Sequence, residues 1–180
     1  MANIAVFCGA RKVDDKYVNP AYELGKLMAE GWHTLIYWGW TNWVMWALYR
    51  WASEAWGRII GIIPEFLKDK EKTDNIDPTK LELIIVDTMD ERKKILFELS
   101  DTVLMLPGWI GTLDESLEAM TLVQLKQMKH KIGILNTDKF YDPLVTMLNM
   151  MTEERFLEIE TRQALTIKNT PAELLDAMHL

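Results

Sequence analysis

The segment 102–115 reads Thr-Val-Leu-Met-Leu-Pro-Gly-Trp-Ile-Gly-Thr-Leu-Asp-Glu, and its change of pattern decides the fold. Thr102–Leu106 is a short apolar run that predicts a buried strand. A helix is predicted from Leu113 to about Met128, and Gly108 and Gly111 lie in the turn between them. A strand, a glycine turn and a helix in succession form the repeating unit of α/β proteins.

The same alternation extends in both directions along the chain. Further strands are predicted at 4–8, 34–37, 58–63, 81–86, 131–135 and 165–167. Further helices are predicted at 20–30, 45–55, 91–99, 143–151 and 171–179. Because these strands are apolar throughout, both faces of the sheet must be covered by helices. The sequence therefore predicts a Rossmann-like α/β fold with a mostly parallel, doubly wound sheet, in one domain spanning residues 1–180.

Composition narrows the classes of partner. A net charge of −7 disfavours nucleic acid and anionic membranes as partners. The one cysteine suits a reducing compartment, and no apolar run reaches the length of a membrane span. Met1–Asn3 leads directly into the first apolar run, so we expect no leader and a cytoplasmic protein. The three histidines lack the spacing of metal ligands, and no metal or cofactor is expected.

The turn before the predicted helix is a candidate phosphate site. Free backbone amides and the helix dipole both favour an anion at a helix N-terminus, and glycines let a ligand approach the backbone closely. The alternative is structural, because Thr112-Leu113-Asp114-Glu115 also has the pattern of a capping box, in which Glu115 would bind only backbone amides.

Three other segments follow predicted strands. In 87–94, Arg92 and Lys93 lie at the carboxyl end of a strand, where open α/β sheets bind ligands. Their alternative interpretation is as surface charges. The segments 6–11 and 37–46 also run from a strand into a glycine turn. The long connection 65–80 is charged and either borders the ligand crevice or is a solvated loop.

Together these segments closely resemble the LOG ("lonely guy") family, from about residue 4 to about residue 150. The motifs that carry the resemblance are Phe7-Cys8-Gly9-x-Arg11, Tyr37-x-Gly39 followed by Met45, Ile63-Pro64-Glu65, Met89-x-Glu91-Arg92-Lys93 and Pro107-Gly108-x-x-Gly111-Thr112-x-x-Glu115. Members of this family are cytokinin riboside 5'-monophosphate phosphoribohydrolases, formerly called possible lysine decarboxylases.

The resemblance implies hydrolysis of the N-glycosidic bond of a cytokinin or purine nucleoside 5'-monophosphate, without cofactor or metal. Free base and ribose 5-phosphate would be the products. The resemblance assigns catalytic roles to Arg92 and Glu115. It assigns substrate binding to Glu71, Lys93, Gly108, Trp109, Ile110, Gly111, Thr112, Leu113, Gly39 and Arg11. It also implies a homodimer or larger homo-oligomer with its sites near the subunit interface.

The chain departs from the family pattern in its tryptophans. It has eight Trp and only nine Gly, and tryptophan stands where the family has glycine at Trp38, Trp40, Trp43, Trp46 and Trp109. Trp32, Trp51 and Trp56 also fall where glycine is common in such proteins. Two hypotheses explain this: a gene that reads UGA as glycine, or engineered loops. A second departure is Asp90, where the family usually has His.

Two other classes of function stay open at this point. A protein of the same fold could bind the nucleotide as a sensor or carrier without cleaving it. Alternatively, the tryptophans could form an aromatic interaction surface, whose partner capture would depend on Trp40 and Trp43. Release of free base from AMP separates the enzyme from both.

Overall fold

A computed structural model describes residues 1–39, 43–55, 57–68, 77 and 79–180. In this part of the chain seven parallel strands form one sheet in the order β4-β3-β2-β1-β5-β6-β7. The strands are β1 (Asn3–Phe7), β2 (Thr34–Tyr37), β3 (Ile59–Pro64), β4 (Leu81–Val86), β5 (Thr102–Met105), β6 (Lys131–Leu135) and β7 (Leu165–Lys168). The predicted Rossmann-like α/β class is confirmed.

The strand order reverses at β1. Ile4 pairs with Leu35 of β2 on one side, and Val6 pairs with Leu104 of β5 on the other. β1 is central and apolar, and its residues from Ile4 to Phe7 are almost fully buried. Because the connections leave β1 and β5 toward opposite faces, a crevice opens at the carboxyl ends of these two strands.

Helices cover both faces of the sheet. They are α1 (Asp15–Glu30), α2 (Trp43–Glu54), α3 (Glu65–Lys68), α4 (Met89–Leu99), α5 (Ile110–Gln124), α6 (Asp142–Glu153), α7 (Ile159–Gln163) and α8 (Pro171–Met178), with a short 3-10 helix at Thr137–Lys139. α1 packs against α2 and α8, and α5 packs against α7. The sequence did not predict α3, α7 or the 3-10 helix, because one turn of helix carries too little periodicity.

The predicted helix starts that were latest are those of α1 and α5. α1 begins at Asp15, because Asp14 accepts a hydrogen bond from the Lys16 amide (3.0 Å) and caps the helix. α5 begins at Ile110, directly after the glycine turn, and ends at Gln124. The capping-box interpretation of 112–115 is therefore wrong: Thr112 and Glu115 lie inside the helix, and both are buried.

Candidate active site

The glycine turns after β1 and β5 are in direct contact. The Gly9 amide donates to the Pro107 carbonyl (3.2 Å), and the Leu106 amide donates to the Phe7 carbonyl (2.9 Å). A Cβ on Gly9 would lie 3.3 Å from the Gly108 Cα, so a side chain at position 9 would require the neighbouring backbone to move slightly. A cavity of about 240 Å³ lies beside this contact, and its lining includes Arg11, Lys12, Tyr17, Trp109 and Phe140.

The start of α5 directly follows Gly108 and Trp109, which line this cavity. Trp109 is the N-cap residue and makes no side-chain capping bond. The first bond within the helix runs from the Leu113 amide to the Trp109 carbonyl (3.2 Å), so the amides of residues 110–112 precede the helical ladder. Such amides, with the helix dipole, stabilise a bound anion.

Gly108 cannot be replaced by a larger residue without moving its neighbour. A Cβ at this position would overlap the Thr112 Oγ1. Thr112 is itself buried in the first turn of α5, so there is no room for it to withdraw. The phosphate-site turn is therefore built around the absence of a side chain at position 108.

Tyr141, which follows β6 and the 3-10 helix, stabilises the same turn by a hydrogen bond. Its hydroxyl donates to the Leu106 carbonyl (2.7 Å), and its own amide donates to the Asn136 side chain (2.7 Å). Burial raises the pKa of the Tyr141 hydroxyl, which therefore remains a donor. Sequence analysis missed this residue, since no local pattern links it to a turn 35 residues away.

Arg92 and Glu115 are both buried beneath the crevice. Arg92, on α4, is 0% exposed, and Glu115, on α5, is 1% exposed. The interpretation of Arg92 as a surface charge is therefore wrong. Neither Glu115 oxygen has a hydrogen-bond partner among the described residues. Burial raises the pKa of Glu115 to about 9, although the positive charge of Arg92 acts in the opposite direction.

The Trp38 indole lies over the Arg92 guanidinium. Its ring centroid is 3.8 Å from the Arg92 Cζ, and its Cη2 atom lies 3.4 Å from where a Cβ on Gly111 would be. Trp109 lies at the other end of the crevice, with the Arg11 Cζ 5.4 Å from its ring centroid. Arg92 and Glu115 are not among the residues that line the cavity beside Arg11. Trp38 thus covers Arg92, and Trp109 lines the separate cavity beside Arg11.

Lys93 points away from Arg92. Its ammonium group forms ion pairs with Glu118 (2.6 Å) and Asp114 (3.3 Å) on α5. It lines a separate groove of about 560 Å³ between α4 and α5. Successive residues of a helix face directions about 100° apart, which explains why adjacent cations reach different surfaces. The structure thus does not bring Lys93 to the crevice.

The remaining predicted residues are also accounted for. Gly39 follows β2 with φ +77, and Gly39 and Gly61 are in close contact. Ile110 and Leu113 lie in the first turn of α5, Ile110 being exposed. Glu71 lies outside the described residues, as do Trp40 and Trp56. Cys8 is buried beside Glu115, and burial raises the pKa of its thiol, which keeps it a neutral packing group.

Within the ranges that the structure describes, no group of three or more His, Cys, Asp or Glu side chains is placed to hold a metal ion. No helix in the same part of the chain is long and apolar enough to cross a bilayer.

Comparison with known proteins agrees with these observations. The family model described as "Possible lysine decarboxylase" matches residues 45–178. The cytokinin riboside 5'-monophosphate phosphoribohydrolase LOG of Oryza sativa subsp. japonica is 34% identical over 96% of this chain and 70% of its own length. The phosphoribohydrolase LOG5 of Arabidopsis thaliana is 31% identical over 97% of this chain and 76% of its own length.

Among solved structures, the molybdenum cofactor carrier protein of Chlamydomonas reinhardtii has a TM-score of 0.72 at 22% identity, covering 99% of this chain and 97% of that one. This likeness concerns the fold alone. The family model covers most of the chain, and two relatives exceed 30% identity over nearly all of it. On these grounds the chain belongs to the LOG family of cytokinin riboside 5'-monophosphate phosphoribohydrolases.

Proposed function

We propose that this chain hydrolyses the N-glycosidic bond of a purine or cytokinin nucleoside 5'-monophosphate, releasing the free base and ribose 5-phosphate. The observation that carries the proposal is a buried carboxyl group, Glu115, beside a buried guanidinium, Arg92, one turn below the free amides that begin α5. That arrangement offers an anion site and a proton-transfer group within the span of one nucleotide.

The 5'-phosphate would lie at the glycine turn. The amides of Ile110, Gly111 and Thr112 supply donors, and Gly108 lets the phosphate approach the backbone. Arg11, which lines the cavity at the same end of the crevice, adds a positive charge. The sugar would then extend from the turn toward Arg92 and Glu115. We assign Lys93 and Glu71 to substrate binding only on the strength of the family resemblance.

The chemistry needs one water molecule and one proton-transfer group. As the bond between C1' and the base nitrogen breaks, its electron pair leaves with the base, which takes up a proton from the solvent. Water adds to C1' and loses a proton. We assign Glu115 to orient this water, accept its proton and offset the positive charge on the sugar ring. Because burial raises the pKa of Glu115 to about 9, the carboxylate that this step uses is the minor form at neutral pH, and the positive charge of Arg92 increases its share.

The role of the phosphate can be tested with AMP and adenosine. We expect a protein with glycine at positions 38, 40, 43, 46 and 109 to release adenine and ribose 5-phosphate from AMP in equal amounts. Adenosine lacks the group that the α5 amides bind, so its kcat/KM should be at least about 100-fold lower, corresponding to about 3 kcal/mol. Chromatography of base and sugar phosphate provides the measurement.

Two outcomes would contradict this assignment. Equal rates with AMP and adenosine would show that the 5'-phosphate does not contribute to catalysis, which would contradict the proposed phosphate site. Adenosine and inorganic phosphate as products would show cleavage of a different bond. If AMP binds and no base appears, the chain is a nucleotide sensor or carrier of the same fold.

We also propose that the protein is a homodimer. Exposed apolar side chains lie on α5, α6 and α7, directly after α5, and on the loop between α6 and α7: Leu117, Leu125, Met147, Met150, Phe156 and Ile159. Phe156 is 77% exposed. A surface of this kind on a globular protein indicates a contact with another protein, and a second copy of the chain fits a self-complementary patch.

A further inference from the structure

We propose that the functional protein carries glycine at positions 32, 38, 43 and 109, specified by UGA codons that its gene reads as glycine, and that the Trp38 indole occupies the space where the nucleotide's sugar meets Arg92 and Glu115. The second part rests on the proposed function; the first does not. Backbone conformation, packing and unpaired polar atoms each support the proposal.

Trp32 occupies a backbone position that is built for glycine. It follows the last turn of α1 with φ 58. Its amide donates to the Ala29 carbonyl (3.0 Å), and the His33 amide donates to the Met28 carbonyl (2.9 Å). These two bonds define a Schellman motif, whose left-handed residue is usually glycine. The Trp32 side chain is 76% exposed, so no packing compensates for the strained conformation.

Trp43 shows the same mismatch at the beginning of α2. Its φ is 46, in the left-handed region, although it is the first residue of a right-handed helix. Five other non-glycine residues of the described chain have positive φ, and all of them are exposed and polar or charged: Lys126, Asp138, Lys139, Arg155 and His179. Trp32 and Trp43 are the two large aromatic side chains in this set, and both are poorly suited to it.

Trp38 is buried without satisfying its own polar atom. It is 6% exposed, and its indole Nε1 has no hydrogen-bond partner among the described residues. A buried indole normally finds an acceptor, because an unpaired N–H loses its hydration without compensation. The indole is therefore a poor native core residue, even though its ring fills space.

The space that Trp38 fills lies between the functional groups of the site. One face of the ring stacks on Arg92, and the ring edge contacts Gly111 at the phosphate-site turn. The indole therefore occupies the space between Arg92 and the first turn of α5. Removing the side chain would open space beside Arg92 at the start of α5, and we expect the sugar of the nucleotide to occupy it.

The Trp109 and Trp43 rings each lie beside a cationic side chain, as the Trp38 ring does. Arg11 faces the Trp109 ring, and the Lys12 Nζ lies 5.3 Å from the Trp43 ring centroid. The Trp109 Nε1 lies 3.2 Å from where a Cβ on Gly111 would be, so its ring also crowds the turn. In each case an indole takes the place beside a cation that an anionic ligand would take.

A single change of codon meaning accounts for all of these mismatches at once. Independent substitutions to tryptophan would have to fall repeatedly on positions of left-handed backbone or close approach. Sequencing the gene and measuring peptide masses of the protein purified from its own host test this directly. We expect UGA at codons 32, 38, 43 and 109 and peptides carrying glycine there. A UGG codon, or a peptide with tryptophan, at any of the four overturns it.

The obstruction by Trp38 is tested separately, by titrating the full chain with AMP in a calorimeter. We expect W38G to bind AMP at least 10-fold more tightly than the chain with Trp38, because the sugar gains access to Arg92 and Glu115. W38F keeps an aromatic ring in the same space and should stay at the weak value. W109G should also bind more tightly, and it provides a second measurement if W38G unfolds.

W32G is the matched control, since it makes the same replacement far from the crevice. We expect W32G to raise Tm by a few degrees and to leave the Kd for AMP unchanged. The obstruction is overturned if W38G and W109G bind no more tightly than W38F and W32G. If W38G binds tightly and releases no adenine, the obstruction stands and the hydrolase proposal fails. If the chain with Trp38 already hydrolyses AMP as well as W38G does, the hydrolase proposal stands and the obstruction by Trp38 fails.

Discussion

Glu115 combines nearly complete burial with two carboxyl oxygens that bind no described neighbour. The pKa of Glu115 in the folded protein is about 9, whereas the ordinary carboxyl value is 4.5. At a pH between these two values, Glu115 is protonated in the folded protein and ionised in the unfolded chain. Between these values the folded state binds more protons than the unfolded state. The free energy of unfolding therefore falls as pH rises from about 4.5 to about 9.

Glu115→Gln should remove that dependence, because the amide cannot ionise. Between pH 5.5 and 8.5 we expect the chain with Glu115 to lose on the order of 2 kcal/mol more stability than the Glu115→Gln variant. Urea denaturation of both proteins at the two pH values measures the difference. Glu118→Gln is the control, since that carboxylate is half-exposed and paired with Lys93. Parallel pH profiles for the unsubstituted chain and the Glu115→Gln variant would contradict the buried acid.

Residues such as Arg92 and Glu115 could be found from the sequence only through their place in the family motifs. Their burial was not predictable, because a charged residue in a helix is normally exposed and the Arg92 pattern fits a surface helix equally well. The stacking of Trp38 on Arg92 joins residues from two elements that are distant in sequence. No local spacing encodes such a contact.

The turn between β5 and α5 depends on glycine at position 108. Gly108→Ala places a methyl group against the Thr112 Oγ1, closer than two atoms can approach, so either the turn or the first helical turn must move. We expect at least a 10-fold loss of AMP affinity in the background with glycine at positions 38 and 109, measured by calorimetry. Gly133→Ala on β6 is the matched control away from the crevice, because its added methyl group also overlaps neighbouring side chains, those of Met178 and Leu104, and should lower stability without changing AMP affinity. Unchanged affinity in Gly108→Ala would contradict the backbone site.

Strands were predicted well because apolar runs of strand length between helices have few other interpretations in this class. Helix starts were predicted less well. α5 begins at Ile110 because the chain enters the helix directly from the glycine turn, whereas the sequence shows apolar periodicity only from Leu113. The brace from Tyr141 was not predictable, because it depends on the three-dimensional proximity of β5 and the segment after β6.

Across the whole molecule, the sheet order follows from the alternating strands and helices, and the crevice follows from its reversal at β1. The apolar surface on α5, α6 and α7 also concerns the whole molecule, because it is where we expect two copies of the chain to meet. Phe156→Glu combined with Leu125→Glu should convert the proposed homodimer to a monomer with little loss of monomer stability, because both side chains are exposed. Light scattering coupled to gel filtration measures the mass. Lys129→Glu, a change at another exposed residue, is the control. A monomeric starting protein would contradict the dimer.

The most direct test of the central claim is a comparison of base release by two proteins that differ only at position 115. Both carry glycine at positions 38, 40, 43, 46 and 109, and one also carries Glu115→Gln. Our account expects adenine release from AMP by the first protein, and a loss of kcat of at least about 1000-fold in the second with its AMP affinity retained. Equal rates of adenine release by the two proteins would contradict the role of Glu115 and with it the proposed mechanism.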